Sequence, residues 1–105
     1  MKVVIALGAN LEDPRKQISI AIDKVRDIVK VEKVSSLYET EPVGVPDNQP
    51  NYINAVLIGQ SELKPLDLMR KLLEIENEMG RARSFQNAAR IIDIDIIEYL
   101  SLIHI

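Results

Sequence analysis

Asp93 and Asp95, in the run Arg90-Ile-Ile-Asp-Ile-Asp-Ile-Ile97, are the residues whose types and spacing best suit chemistry. Isoleucine is β-branched and packs well on a pleated surface, so the run predicts a strand. Side chains two apart on a strand share a face, which places these aspartates together with Cα atoms roughly 6.5–7 Å apart. Two adjacent carboxylates among isoleucines are costly to keep ionised, since each charge opposes the other and burial opposes both. A hard divalent cation relieves that cost, and oxygen donors of this kind suit Mg²⁺. The segment just upstream, Arg81-Ala-Arg-Ser-Phe-Gln-Asn-Ala-Ala-Arg90, holds three arginines and no acid in a chain of net charge −3. Guanidinium forks bind phosphate oxygens while carboxylates hold the Mg²⁺ that bridges them, the two parts that phosphoryl chemistry needs. Taken singly, each piece has a plainer reading. The aspartates could be a solvated strand face or edge charges, Arg81 and Arg83 could complement a helix C-terminus, and Arg90 could be solvated.

A chain of 105 residues that is 47% hydrophobic fits one small domain. Its acidic balance argues against a general binder of nucleic acid or anionic membrane. With no cysteine, disulfides and thiolate metal sites are excluded. The apolar run at the amino terminus is too short for a membrane span and has no signal-cleavage region, so a cytoplasmic monomer is the expectation. At the other end, Leu100-Ser-Leu-Ile-His-Ile105 looks like one translated frame of a sequencing-library adapter. The expected organisation is therefore a single partial domain over 1–99 and a non-native tail over 100–105, a short terminal strand being the alternative. His104 falls in that tail and receives no role.

Periodicity supplies the elements that must position the acids. Residues 2–7 predict a central strand. Gly8-Ala9-Asn10 has neither the spacing nor the lysine of a phosphate-binding glycine loop and is expected to be a turn. Asp13-Pro14 marks a helix start, and Ile18, Ala21, Ile22, Val25, Ile28 and Val29 give one apolar face to about residue 30. Val31–Tyr38 predicts a second strand, residues 41–50 with three prolines a loop, and Tyr52–Gly59 a third strand. Pro65 opens a second helix striped by Leu66, Met69, Leu72, Leu73 and Met79, which Gly80 is expected to close. The order β-α-β-β-α-β predicts an α+β, ferredoxin-like domain, an antiparallel sheet with two helices on one face. Glu76 lies at the edge of that helical stripe, where a solvated flank or an internal partner for an arginine is the usual outcome. Asn54 could be an ordinary strand-end polar group, yet its amide offers donor and acceptor together, as a heterocycle with amide-like edges requires.

In order, Ala6-Leu-Gly-Ala-Asn-Leu11, Ser35-Ser-Leu-Tyr-Glu-Thr-Glu-Pro-Val-Gly44, Gln49-Pro-Asn-Tyr-Ile-Asn-Ala55, Glu76-x-x-x-Gly-Arg-x-Arg83 and Arg90-Ile-Ile-Asp-Ile-Asp-Ile96 resemble one family. It is the 6-hydroxymethyl-7,8-dihydropterin pyrophosphokinases of folate biosynthesis, in which MgATP donates its β,γ-pyrophosphoryl group to the pterin and AMP leaves. The resemblance implies that Asp93 and Asp95 hold two Mg²⁺ ions and that Arg81, Arg90 and Asp95 take part in the transfer. It places Glu76, Arg83 and Arg90 around the nucleotide, and Thr40, Pro42, Val43, Tyr52 and Asn54 around the pterin. The two loops rich in proline and arginine correspond to covers that exclude water.

The chain departs from the family in two places. Many members carry Trp-Gly-Pro-Arg where it has Asn87-Ala-Ala-Arg90, one residue short, leaving Phe85 as a weak substitute for the stacking ring. The family also continues past the Asp-x-Asp strand with further ATP and pterin contacts, so a chain ending here is expected to turn over little. A ferredoxin-like module that binds or senses a small ligand without chemistry is the competing expectation. A module for single-stranded nucleic acid would want aromatic residues on a basic sheet, and this chain has one Phe and three Tyr.

Overall fold

The computed structural model describes residues 1–41, 51–80 and 91–100. Two central strands carry the fold: β1 (Lys2–Ala9) and β4 (Tyr52–Gln60). Both alternate strictly, burying Val3, Ile5, Leu7 and Ala9 from β1 and Ile53, Ala55 and Leu57 from β4 on one face. They pair antiparallel from Lys2↔Gln60 to Ala9↔Ile53. β5 (Asp93–Leu100) joins the other side of β1, while β2 (Lys30–Val34) and β3 (Tyr38–Thr40) share the far edge of β4. The order β2-β4-β1-β5, every neighbour antiparallel, is the ferredoxin-like arrangement.

Helices α1 (Pro14–Val25) and α2 (Pro65–Gly80) each bury one side against that face. Of the stripe expected for α2, only Leu72 is buried and Met79 partly so; Leu66, Met69 and Leu73 are exposed, because the helix is turned to put Leu68 and Ile75 inward. Ile18, Ala21 and Val25 from α1 and Leu68, Leu72 and Ile75 from α2 enter one cluster with the strand residues. An exposed ion pair, Lys24 Nζ to Glu78 Oε1 at 2.7 Å, links the helices; at such exposure it adds at most about 1 kcal/mol. Apolar burial therefore holds the layers together. Among the described residues no helix is long and apolar enough to cross a membrane.

Several boundaries differ from the sequence reading for local physical reasons. α1 stops at Val25 because its last bonds tighten: the amides of Asp27 and Ile28 turn to Lys24 O and Val25 O. Val29 is buried all the same, so the apolar spacing continues where the helix does not. Asp13 sits in the left-handed region (φ 60°) and makes no side-chain cap, leaving Pro14 to preset the first turn. The single strand expected over 31–38 is two. Between β2 and β3, the Ser35 amide bonds Val56 O at 2.8 Å and its hydroxyl accepts the Val56 N–H at 2.9 Å, carrying the edge across the break.

Gly8 and Ala9 belong to β1, not to a turn, and Gly80 is the last residue of α2. β5 begins at Asp93 and reaches Leu100, which pairs with Lys2; residues 101–105 lie outside the described residues. Its register shifts between Val4 and Ile5, so Ile97 is an extra residue in a bulge.

A Cβ on Gly59 would lie 2.6 Å from Lys30 O and 2.7 Å from Val29 Cγ1, whereas one on Gly80 meets nothing within 4 Å. Gly59→Ala should destabilise by about 1–3 kcal/mol through overpacking, while Gly80→Ala should stabilise by about 0.5–1 kcal/mol. Urea unfolding of the two variants reads the difference.

Candidate active site on the open sheet face

Residues that alternate with the core project from the face the helices leave uncovered. The pairing register aligns four of them in one row across the sheet, Tyr38↔Asn54, Asn54↔Gly8 and Gly8↔Asp93. Adjacent strands lie about 4.8 Å apart, so Asn54 and Asp93 are separated by roughly 10 Å across Gly8. Asp95 pairs with Ala6 one step along, on the same face as Asp93. Ile92 and Ile94 are buried on the opposite side, which fixes the direction of both acids. Asp93 is half-buried and Asp95 exposed.

Tyr38, Tyr52, Asn54, Gly8, Leu7, Ala6, Asp93 and Asp95 line an open cavity of about 190 Å³. The Asn54 amide is oriented within it. Its Nδ2 donates to Thr40 Oγ1 at 2.8 Å, with longer contacts to Tyr38 O and Tyr52 O. Thr40 pairs with Tyr52, so β3 and β4 together aim the side chain. Its Oδ1 is turned toward Gly8, where an added Cβ would lie only 3.1 Å away. Glycine at position 8 keeps the space between amide and carboxylate open.

A second depression, about 220 Å³, runs between α2 and β5 and is lined by Met69, Leu72, Leu73, Glu76, Ile94, Asp95 and Ile96. Asp95 lies on the rim of both hollows. Glu76, expected at a solvated flank, is 9% exposed, and its Oε2 accepts the Ile94 N–H at 2.8 Å.

Thr40, Tyr52, Asn54, Asp93 and Asp95 thus meet on one face, with Glu76 behind the last two. Pro42, Val43, Arg81, Arg83 and Arg90 lie outside the described residues. Tyr38 and Gly8 line the same cavity but were given no role from sequence. Tyr38 could have been found, since it precedes Thr40 by two on a strand and must share its face. Gly8 becomes legible only once the register places Asn54 and Asp93 on either side of it.

Among the described residues no group of three or more His, Cys, Asp or Glu gathers. Two carboxylates cannot cage Ca²⁺, and without imidazole or thiolate they do not suit zinc. They do fit Mg²⁺, which commonly takes one or two carboxylates and completes its octahedron with water and phosphate oxygens.

The structure defines an α+β, ferredoxin-like class of protein with a carboxylate pair set between two hollows. Comparison with known proteins narrows this class. The family described as 7,8-dihydro-6-hydroxymethylpterin-pyrophosphokinase matches residues 4–105, and the chain belongs to that family. It is 41% identical over 97 residues to a 2-amino-4-hydroxy-6-hydroxymethyldihydropteridine pyrophosphokinase of Haemophilus influenzae, covering 90% of this chain and 60% of that protein. A protein of the same name from Aquifex aeolicus is 38% identical over 97 residues, covering 92% and 60%. A folate synthesis bifunctional protein of Arabidopsis thaliana is 41% identical over 100 residues, covering 93% of this chain and 20% of that protein. The chain spans about 60% of the length of the single-function relatives it matches.

Thr40→Val removes the acceptor that orients Asn54. Stability should change by less than about 0.5 kcal/mol, as for most exposed substitutions. The Asn54 side-chain NH₂ resonances should lose their dispersion and exchange faster with water by NMR.

Proposed function

We propose that this chain carries the catalytic face of an enzyme that moves pyrophosphate from MgATP to the hydroxymethyl group of 6-hydroxymethyl-7,8-dihydropterin, releasing AMP. The observation that carries the reading is the position of Asp95 on the rim of two chemically different hollows. The cavity holding Asn54 and two tyrosines suits a flat heterocycle with hydrogen-bonding edges. The more apolar groove beside α2 suits the base of a nucleotide. A triphosphate joining the two would pass over the aspartates. Family membership supports the same assignment.

In this reading Asp93 and Asp95 would hold Mg²⁺, two ions with ATP bound, and the metal would supply charge neutralisation on the phosphates. Asn54 reads the pterin: Thr40 fixes the donor side of its amide, and Oδ1 remains to accept from the ligand's N–H edge. Tyr38 and Tyr52 bound the cavity at its β3–β4 end. Arg81, Arg83 and Arg90 would contact the phosphates, and Pro42 and Val43 would complete the pterin site. The carboxylate pair and arginines have no evident use in a module that only senses a ligand. A cytoplasmic monomer acting on two small molecules, without nucleic acid or membrane, completes the proposal.

In the full natural reading frame, ATP, Mg²⁺ and the hydroxymethyl pterin should yield AMP and pterin diphosphate. A folded protein that forms no AMP would refute the reading. Asp93→Asn or Asp95→Asn should lower turnover at least about 100-fold, the scale of losing one preorganised electrostatic partner, with an unchanged circular dichroism spectrum.

Gly8→Ala tests the pterin half separately. Crowding Asn54 Oδ1 should push the amide off its rotamer at a cost on the order of 0.5–1.5 kcal/mol. Pterin affinity, read by calorimetry, should fall accordingly while nucleotide affinity holds.

A further inference from the structure

Glu76 is an unusual occupant of its position. It stands beside Leu72, Ile75 and Met79 on α2, where another leucine would extend the apolar stripe, and it is 9% exposed. Burial of a carboxylate is unfavourable unless its oxygens are hydrogen-bonded. One partner of this carboxylate is a backbone group: Oε2 accepts the Ile94 N–H at 2.8 Å.

The location of that amide gives the bond its meaning. Ile94 lies between Asp93 and Asp95 and pairs with Leu7 of β1. Along an antiparallel strand, successive residues direct their backbone groups to opposite edges. The Ile94 amide, taken by Glu76, points away from β1, so the amides on either side of it point toward β1. Among the described residues β5 is an edge strand, with β1 its one strand neighbour. A carboxylate bond to an edge amide is charge-assisted and more directional than hydration. It ties the strand to the helix midway between the two aspartates, on the side where no ladder does so.

We propose that Glu76 is a positioning residue. Through the Ile94 amide it holds β5 against α2, so that Asp93 and Asp95 keep the spacing and facing that a metal–triphosphate complex requires. The proposal rests on the pyrophosphokinase reading and assigns Glu76 a role distinct from charge contact with the nucleotide. Bonds behind metal ligands commonly set affinity in this way. Glutamine separates the two roles: its Oε1 can accept the same N–H, yet it carries no charge.

The test uses the full natural protein, with Mn²⁺ as a paramagnetic probe titrated in the presence of ATP and amide hydrogen exchange followed by NMR. Glu76→Leu should lose protection at Ile94 and weaken Mn²⁺ binding about 10- to 100-fold. Glu76→Gln should retain the protection and most of the affinity. Asp95→Asn should keep Ile94 protected, as Glu76→Gln does, while losing Mn²⁺. Glu76→Met offers an unbranched apolar replacement should leucine prevent folding. Apolar variants that bind Mn²⁺ like the wild type would overturn the proposal, and so would a glutamine variant as impaired as leucine. A wild-type protein that binds no Mn²⁺ with ATP would overturn the kinase reading and the metal consequence together. Failure confined to the Glu76 variants would leave the kinase reading standing.

Discussion

Burial of Ile92 and Ile94 in the core leaves Asp93 and Asp95 facing the opposite side of the sheet. The same rule operates in β1, where Leu7 and Ala9 enter the core and Gly8 faces out, and in β4, where Ile53 and Ala55 flank Asn54. One hydrophobic layer therefore orients a polar row on the far face. Each buried aliphatic side chain is worth about 1.5–3 kcal/mol, more than a solvent-facing amide or carboxylate gains from any single arrangement. The core decides the parity of each strand, and the site inherits it.

The two hollows divide the chemistry by material. β3 and β4 supply hydroxyl and amide groups held by short contacts, such as Asn54 Nδ2 to Thr40 Oγ1. α2 and β5 supply methionine, leucine and isoleucine, an apolar surface that adapts by packing. Between them stand the carboxylates. For the proposed reaction such a partition is useful, because binding energy at either end can position the centre.

Much of the scaffold was legible because burial writes a period into the sequence. The alternation of β1 and β4 and the shared face of Asp93 and Asp95 follow from apolar spacing, whereas α2 buries Leu68, Leu72 and Ile75 and leaves Leu66, Met69 and Leu73 of its expected stripe exposed. What escaped is carried by particular atoms. Ile28 and Val29 continue the spacing of α1, yet the bonds there tighten and the helix ends at Val25. The hydroxyl of Ser35 replaces a ladder acceptor, a substitution no propensity records. Glu76 carries a charge that suggests solvent, and the bond it accepts from the Ile94 amide is invisible to periodicity. Gly8 looks like punctuation until two other strands are laid beside it.

The bulge at Ile97 acts as a phase shifter between two halves of β5. Before it, Ile94 and Ile96 oppose Leu7 and Ile5; after it, Tyr99 opposes Val3. Straight pairing would have turned Tyr99 outward and Glu98 inward, setting a carboxylate against the core. With the extra residue, the acidic motif and the distal half of the strand each keep their own parity. The distal half can then drift in sequence, as long as it packs, without transmitting a slip to the aspartates. The bulge uncouples the facing of the aspartates from that of the rest of the strand.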